Sequence, residues 1–149
     1  MSPAETVHAS VAVLDERGVL IRGEAGSGKS SLLLALIYGS PPATLVADDR
    51  VHLAAPNGKV VATVPDEIAG RMEIRGQGIV ERPYVRSAVV DAVIDLLPRE
   101  ACPRMPAGEE EQVALAGTLL PRLMLPIGAG DGAIRVRAFL DRVARRDRR

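Results

Sequence analysis

The stretch from Val19 to Tyr38 constrains the fold more than any other. Val19-Leu20-Ile21 is a short apolar strand. The next turn, Gly23, Glu24, Ala25, Gly26, Ser27, Gly28, Lys29 and Ser30, satisfies G-x-x-x-x-G-K-[ST] at every fixed position. Leu32, Leu33, Leu36 and Ile37 then recur at helical spacing until Gly39-Ser40-Pro41-Pro42 stops the run. A strand that feeds a helix through a glycine-rich turn makes a phosphate cradle. Glycines let backbone N–H groups turn inward, and the helix N-terminus favours an anion. Lys29 can reach β- and γ-phosphates, and the Ser30 hydroxyl can ligate magnesium. The motif predicts a nucleoside triphosphate, ATP, as ligand, with Gly23 through Ser30 as its binding residues and Mg²⁺ beside it. The chain holds 17 arginines and only two lysines, Lys29 and Lys59, so a lysine in this motif is conspicuous.

Around that unit the pattern predicts short strands. Thr6–Leu14 alternates as one strand, and Leu45-Val46-Ala47 is another, running into Asp48-Asp49. Val51–Ala55 and Lys59–Val64 flank Asn57-Gly58, the preferred pair for a tight type I′ hairpin. Glu67–Gly70 reads as a helical turn. Met72–Arg75 reads as extended, ahead of the flexible Gly76-Gln77-Gly78. Ala88–Leu97 fits either a helix or a buried strand. Leu119–Ile127 and Ala133–Phe139 read as late strands, separated by Gly128–Gly132. Asp141–Arg149 reads as a charged helical or frayed end, its arginines forming a solvated tail. Short strands around one early helix predict a single α/β domain over 1–149 with a mixed sheet.

Composition removes several function classes. The chain is 149 residues long, 47% hydrophobic, with a formal net charge of zero, so a packed core is expected and disorder is not. Tyr38, Tyr84 and Phe139 are the only aromatic residues, too few for a base-stacking platform, and no nucleic-acid partner is expected. Cys102 alone cannot form an internal disulfide or a cysteine zinc cluster. Leu32–Ile37 is far too short to cross a bilayer, and Met1–His8 carries no basic region followed by an apolar run. These readings predict no membrane contact and a cytoplasmic location.

Three further places carry candidate chemistry. Asp48 and Asp49 end an apolar strand, as the phosphate loop does. If the two strands are neighbours, one carboxylate can accept a proton from an attacking hydroxyl and the other can hold magnesium through water. The alternative is a solvated turn. Met72-Glu73-Ile74-Arg75-Gly76-Gln77-Gly78-Ile79-Val80 alternates charge with apolar residues. Glu73 and Arg75 would share one strand face, either as magnesium and phosphate contacts or as an exposed ion pair. His8 would share a face with Thr6 and Ser10, as a tunable proton donor or as an ordinary surface histidine. His52 decorates the hairpin.

Taken together, His8-Ala9-Ser10 before a strand, Gly23–Ser30, Leu45-Val-Ala-Asp-Asp-Arg-Val51 and Met72–Val80 resemble the catalytic domain of HPr kinase/phosphorylase, from about Val7 to Phe139. That bacterial family phosphorylates a serine of HPr, the phosphocarrier of the sugar phosphotransferase system. The resemblance implies Asp48 as the acid–base residue, Lys29 as the phosphate-binding lysine, Ser30 and Glu73 as magnesium ligands, and His8 as an active-site histidine. It aligns Arg104, in Cys-Pro-Arg-Met-Pro, with a later active-site arginine. It also implies a P-loop kinase fold like that of bacterial phosphoenolpyruvate carboxykinase, a strand over Ala88–Leu97, and a homo-oligomer, a hexamer.

Three departures stand out. The resemblance is to the catalytic domain alone, and the expectation is a compact form like the alphaproteobacterial versions, without the separate N-terminal domain of longer members. Ser31 replaces an acid. Pro126-Ile-Gly-Ala-Gly-Asp-Gly132 replaces a Pro-x-Arg-Pro-Gly-Arg-Asn loop tied to the reverse reaction, so two arginines are missing. The expectation is an ATP-dependent HPr serine kinase with weak or absent phosphorylase activity. A small-molecule kinase and a nucleotide-responsive regulatory module are the alternatives.

Overall fold

The computed structural model describes residues 5–147. The readings that touch Met1–Ala4, Arg148 and Arg149 lie outside the described residues. Eleven strands and two helices follow one another as β1 (Glu5–Val7), β2 (Ser10–Leu14), β3 (Arg17–Arg22), α1 (Lys29–Ile37), β4 (Thr44–Ala47), β5 (Val51–Ala54), β6 (Val61–Thr63), β7 (Arg71–Ile74), β8 (Gly78–Glu81), β9 (Ser87–Leu97), β10 (Gln112–Leu115), β11 (Thr118–Pro126) and α2 (Gly132–Asp147). This is the mixed α/β architecture that the sequence predicts.

The spine is β9, an 11-residue strand over the ambiguous apolar run. Its first residues pair antiparallel with β6, its middle pairs parallel with β3, and its end pairs parallel with β11. Being buried on both faces, it shows a near-continuous apolar run rather than alternation. The remaining strands give the order β1-β5-β6-β9-β3-β2-β4, with β10 hydrogen-bonded to β11. Two apolar layers cover the faces. One joins Val19, Ile21, Ile94 and Leu96 to α1, α2 and β7. The other joins Val11, Leu20, Val90 and Val93 to β5 and β6. At Gly18 a Cβ would stand 2.0 Å from the Val89 carbonyl oxygen, so only glycine permits this approach of β3 to β9.

Three local expectations need correction. Thr6–Leu14 is not one strand. It breaks at His8-Ala9, because β1 pairs with β5 while β2 pairs with β3 and β4. The Asn57-Gly58 segment is not a two-residue hairpin. The ladder ends at the Ala54–Val61 pair, Pro56 cannot donate to it, and Val60 is drawn to β9, where its carbonyl accepts the Val90 N–H at 2.8 Å. The two-residue turns with positive φ at both positions are Asp15-Glu16 (50° and 66°) and Ala116-Gly117 (48° and 79°).

Ala133–Phe139 is not a strand but part of α2, whose buried residues Gly132, Val136, Leu140 and Val143 follow the helical period. The charged end is helical as far as Asp147, as expected, and its arginines Arg142, Arg145 and Arg146 are exposed. It continues α2, and Arg142 pairs with Glu111 at 2.6 Å.

Candidate active site

The phosphate loop joins β3 to α1 at the end of the parallel strands. Its glycines have separate jobs. A Cβ on Gly23 would fall 2.5 Å from Ser27 Oγ and 3.1 Å from Leu96 Cβ, so close packing excludes a side chain there. Gly26 and Gly28 have φ of +82° and +97°, the left-handed region that favours glycine. Gly28 caps α1 without a side-chain hydrogen bond, and the first turn holds no acid. The amide donors of that turn therefore lack a side-chain acceptor, the arrangement that receives phosphate oxygens.

Two further groups support an anion in this cradle. Ser27 Oγ is buried and has no hydrogen-bond partner, a cost that an incoming acceptor would remove. Lys29 Nζ donates to the carbonyls of Gly23 (2.7 Å) and Glu24 (3.2 Å), which keeps the ammonium inside the loop.

Asp48 and Asp49 separate sharply. Asp48, at the end of β4, is 6% exposed, and its Oδ1 accepts hydrogen bonds from Ser10 Oγ at 3.1 Å and Ser30 Oγ at 2.8 Å. Its Oδ2 has no hydrogen bond among the described residues. Asp49 is exposed, with φ of +94°, and its carbonyl accepts the Ala9 N–H at 3.1 Å. β3 and β4 are not neighbours, since β2 lies between them, yet Asp48 still reaches the last residue of the phosphate loop. The Ser30 hydroxyl, its proton directed to Asp48 Oδ1, offers a hard oxygen that suits magnesium.

The other expected residues are more scattered. His8 is exposed at the β1–β2 break and lines a cavity of about 350 Å³ with Arg22, Gly23, Glu24 and Asp95. It does not share a face with its neighbours. Thr6 Oγ1 hydrogen-bonds His52 Nδ1 at 2.8 Å, whereas Ser10 is fully buried against Asp48. Glu73 is exposed on the separate β7–β8 hairpin. Arg75 lies in the turn beyond that strand, and the two make no ion pair with each other. Among the described residues no group of three or more His, Cys, Asp or Glu converges to hold a metal. Arg104 is exposed and lines neither cavity at the loop. Among the described residues no helix is long and apolar enough to cross a membrane.

The second cavity, about 380 Å³, lies between the phosphate loop, α1 and the Pro126–Gly132 segment. Its walls include Leu32, Ala35, Leu96, Pro126 and Ile127, and no charged residue lines it. Sequence reasoning missed Ser10, and it missed a cluster on the sheet face away from α1. There, buried Asp95 binds Arg22 (Nε at 2.6 Å, Nη2 at 3.3 Å) and Arg122 (Nε at 2.6 Å). The available signal was an acid inside the apolar run 88–97, since a buried carboxylate needs partners.

The family model described as HPr Serine kinase C-terminal domain matches residues 1–136. The chain is 32% identical over 141 residues to the HPr kinase/phosphorylase of Geobacillus kaustophilus, covering 87% of this chain and 44% of that protein. To the Streptococcus uberis protein of that name it is 37% identical over 136 residues, covering 84% and 43%. The chain thus spans less than half the length of these relatives. Among solved structures it is similar to the Hpr(Ser) kinase/phosphatase of Coxiella burnetii. The TM-score is 0.80 at 27% identity, covering 97% of this chain and 99% of that one.

Proposed function

The chain belongs to the HPr serine kinase C-terminal domain family, and on that premise we propose that it is an ATP-dependent protein-serine kinase that phosphorylates HPr and so regulates the phosphotransferase system. The observation that carries this reading is the Asp48–Ser30 contact of 2.8 Å, which ties a buried carboxylate to the last residue of the phosphate loop.

In this reading the loop amides, Ser27 Oγ and Lys29 bind the β- and γ-phosphates. Lys29 exchanges its two carbonyl partners for phosphate oxygens. The nucleoside end occupies the uncharged cavity beside α1. Asp48 accepts the proton of the attacking serine hydroxyl at Oδ2, while Ser10 and Ser30 hold Oδ1 and fix the plane of the carboxylate. Magnesium, when bound, neutralises charge on the transferring phosphoryl group. Ser30 would hold it, its hydroxyl proton directed to Asp48 Oδ1, with Glu73 added on the strength of the family resemblance. His8 faces the cavity on the acceptor side, where the protein substrate enters. Arg104 touches substrate only from its exposed loop. Positioning and electrostatics supply most of the catalysis in such chemistry.

The forward direction is favoured. Gly128–Gly132 brings no cation to the loop, and Asp131 is 3.6 Å from Arg135, which its charge offsets. The protein works in the cytoplasm, as a homo-oligomer of hexameric type. Incubation with labelled ATP, Mg²⁺ and purified HPr tests the proposal. Label on an HPr serine supports it. Nucleotide turnover without protein transfer would indicate a small-molecule kinase, and nucleotide binding without turnover a regulatory module.

A further inference from the structure

Among the described residues two carboxylates are buried, Asp48 and Asp95, and the kinase chemistry uses only the first. Asp95 is 5% exposed and sits between two guanidiniums. Its Oδ1 accepts from Arg22 Nε at 2.6 Å, and its Oδ2 accepts from Arg122 Nε at 2.6 Å and from Arg22 Nη2 at 3.3 Å. Such a cluster adds little net stability, because desolvation offsets the attraction and apolar side chains of like volume pack as well. Its place in the fold gives it a use that apolar packing does not supply.

Arg22 ends β3, and Arg22–Asp95 is the last pair of the β3–β9 ladder. The next residue, Gly23, opens the phosphate loop. The two-point side-chain contact therefore takes over where backbone pairing stops. β11 needs no such aid. Its ladder with β9 runs on to the Pro126–Leu97 pair, and the Ile127 N–H then donates to the Leu97 carbonyl at 2.9 Å. Arg122, opposite Val93 and on the same face, serves instead to hold the carboxylate from its far side.

Leu96 completes the joint from the other face of the sheet, since successive side chains of a strand point opposite ways. A Cβ on Gly23 would lie 3.1 Å from Leu96 Cβ and 3.1 Å from the Leu96 carbonyl oxygen, so the glycine rests directly on this residue. Gly23 gives its own carbonyl to Lys29 Nζ at 2.7 Å. A continuous chain thus runs from the buried carboxylate through Arg22 and Gly23 to the phosphate-binding ammonium. We propose that Asp95 is a positioning residue, which clamps Arg22 and so fixes Gly23 and Lys29 in the arrangement that receives the triphosphate. The inference deepens the kinase reading and rests on it.

The test compares three variants of the full chain with the wild type. Thermal denaturation reports stability, and calorimetry reports affinity for the Mg²⁺ complex of a β,γ-imido analogue of ATP. Arg22→Met and Arg122→Met form a matched pair. Each removes one guanidinium and leaves Asp95 the other, so both should remain folded, but only Arg22 adjoins the loop. Arg22→Met should weaken the analogue about tenfold or more, and Arg122→Met by no more than about twofold, since a shift of about 1 Å in a binding group is costly. Asp95→Asn keeps both guanidiniums and loses the charge that holds them, so it should weaken the analogue as Arg22→Met does.

One measurement on the wild type needs no folded variant. The Arg22 Nε–H should give an exchange-protected NMR signal that persists when the analogue is bound. Equal affinities in the matched pair would make the cluster purely structural and overturn the inference. A folded Asp95→Asn protein that binds as tightly as the wild type, or more tightly, overturns it equally, because a released Arg22 would then serve the nucleotide without the clamp. Loss of the protected Arg22 signal on nucleotide binding overturns it too. Failure of the wild type to bind the ATP analogue at all would instead refute the kinase reading.

Discussion

Asp48 offers a prediction whose two halves, stability and rate, come from the same contacts. Its Oδ1 accepts from Ser10 and Ser30, and Ser10 is fully buried. In Asp48→Asn the amide oxygen can keep both hydroxyl donors, so the fold and nucleotide binding should survive. The amide cannot take a proton, and transfer to HPr should fall about 10²–10⁴-fold, the usual contribution of a general base. In Asp48→Ala both donors lose their acceptor. The buried Ser10 hydroxyl then goes unsatisfied, costing about 1–3 kcal/mol. For a chain of this length that lowers Tm by about 2–12 °C. Asp49→Asn should do neither, because the side chain is exposed and Asn tolerates its positive φ of 94°.

Three measurements on each variant check this: initial rates with labelled ATP and HPr, calorimetric nucleotide affinity, and thermal denaturation. A folded Asp48→Asn enzyme of near-normal rate beside a dead Asp49→Asn enzyme would refute the assignment. An Asp48→Ala protein as stable as wild type would refute the energetic account of the Ser10 contact.

Lys29→Ala should keep its fold and lose about 10²–10³-fold in transfer rate, because the ammonium contacts only loop carbonyls and the phosphates it would bind; near-normal turnover would remove the loop from the chemistry. Gly18→Ala should cost about 3 kcal/mol, since the added Cβ meets backbone at 2.0 Å, and a Tm within about 2 °C of wild type would show that β3 and β9 can part cheaply. Burial pushes the Cys102 thiol up, opposed only in part by Arg135 and Arg122. At mildly alkaline pH, iodoacetamide should therefore label the native protein more slowly than the urea-unfolded chain. The stability supplied by the neutral thiol is complete below the unfolded thiol's range and is lost as pH climbs through the raised one; equal labelling rates would refute the burial effect.

Much of the site is local in origin and legible as such. Gly23 through Ser30 act through backbone geometry and one lysine within eight consecutive residues, so no distant contact is needed to recognise the cradle. The resemblance added Asp48 and the strand at 88–97, which periodicity alone leaves open, because a strand buried on both faces loses the alternation that marks one.

Tertiary structure decided what depends on partners far apart in the chain. It broke Thr6–Leu14 at His8, because two different strands claim the two halves. It made 133–139 a helix, because the segment packs as the start of α2, whose buried period runs on to Val143. It divided Asp48 from Asp49 by burial, a distinction invisible in two identical adjacent letters. It also brought Arg22, Asp95 and Arg122 together across three strands. A backbone motif is written in neighbouring residues, whereas a charge cluster exists only once the register of the sheet is set.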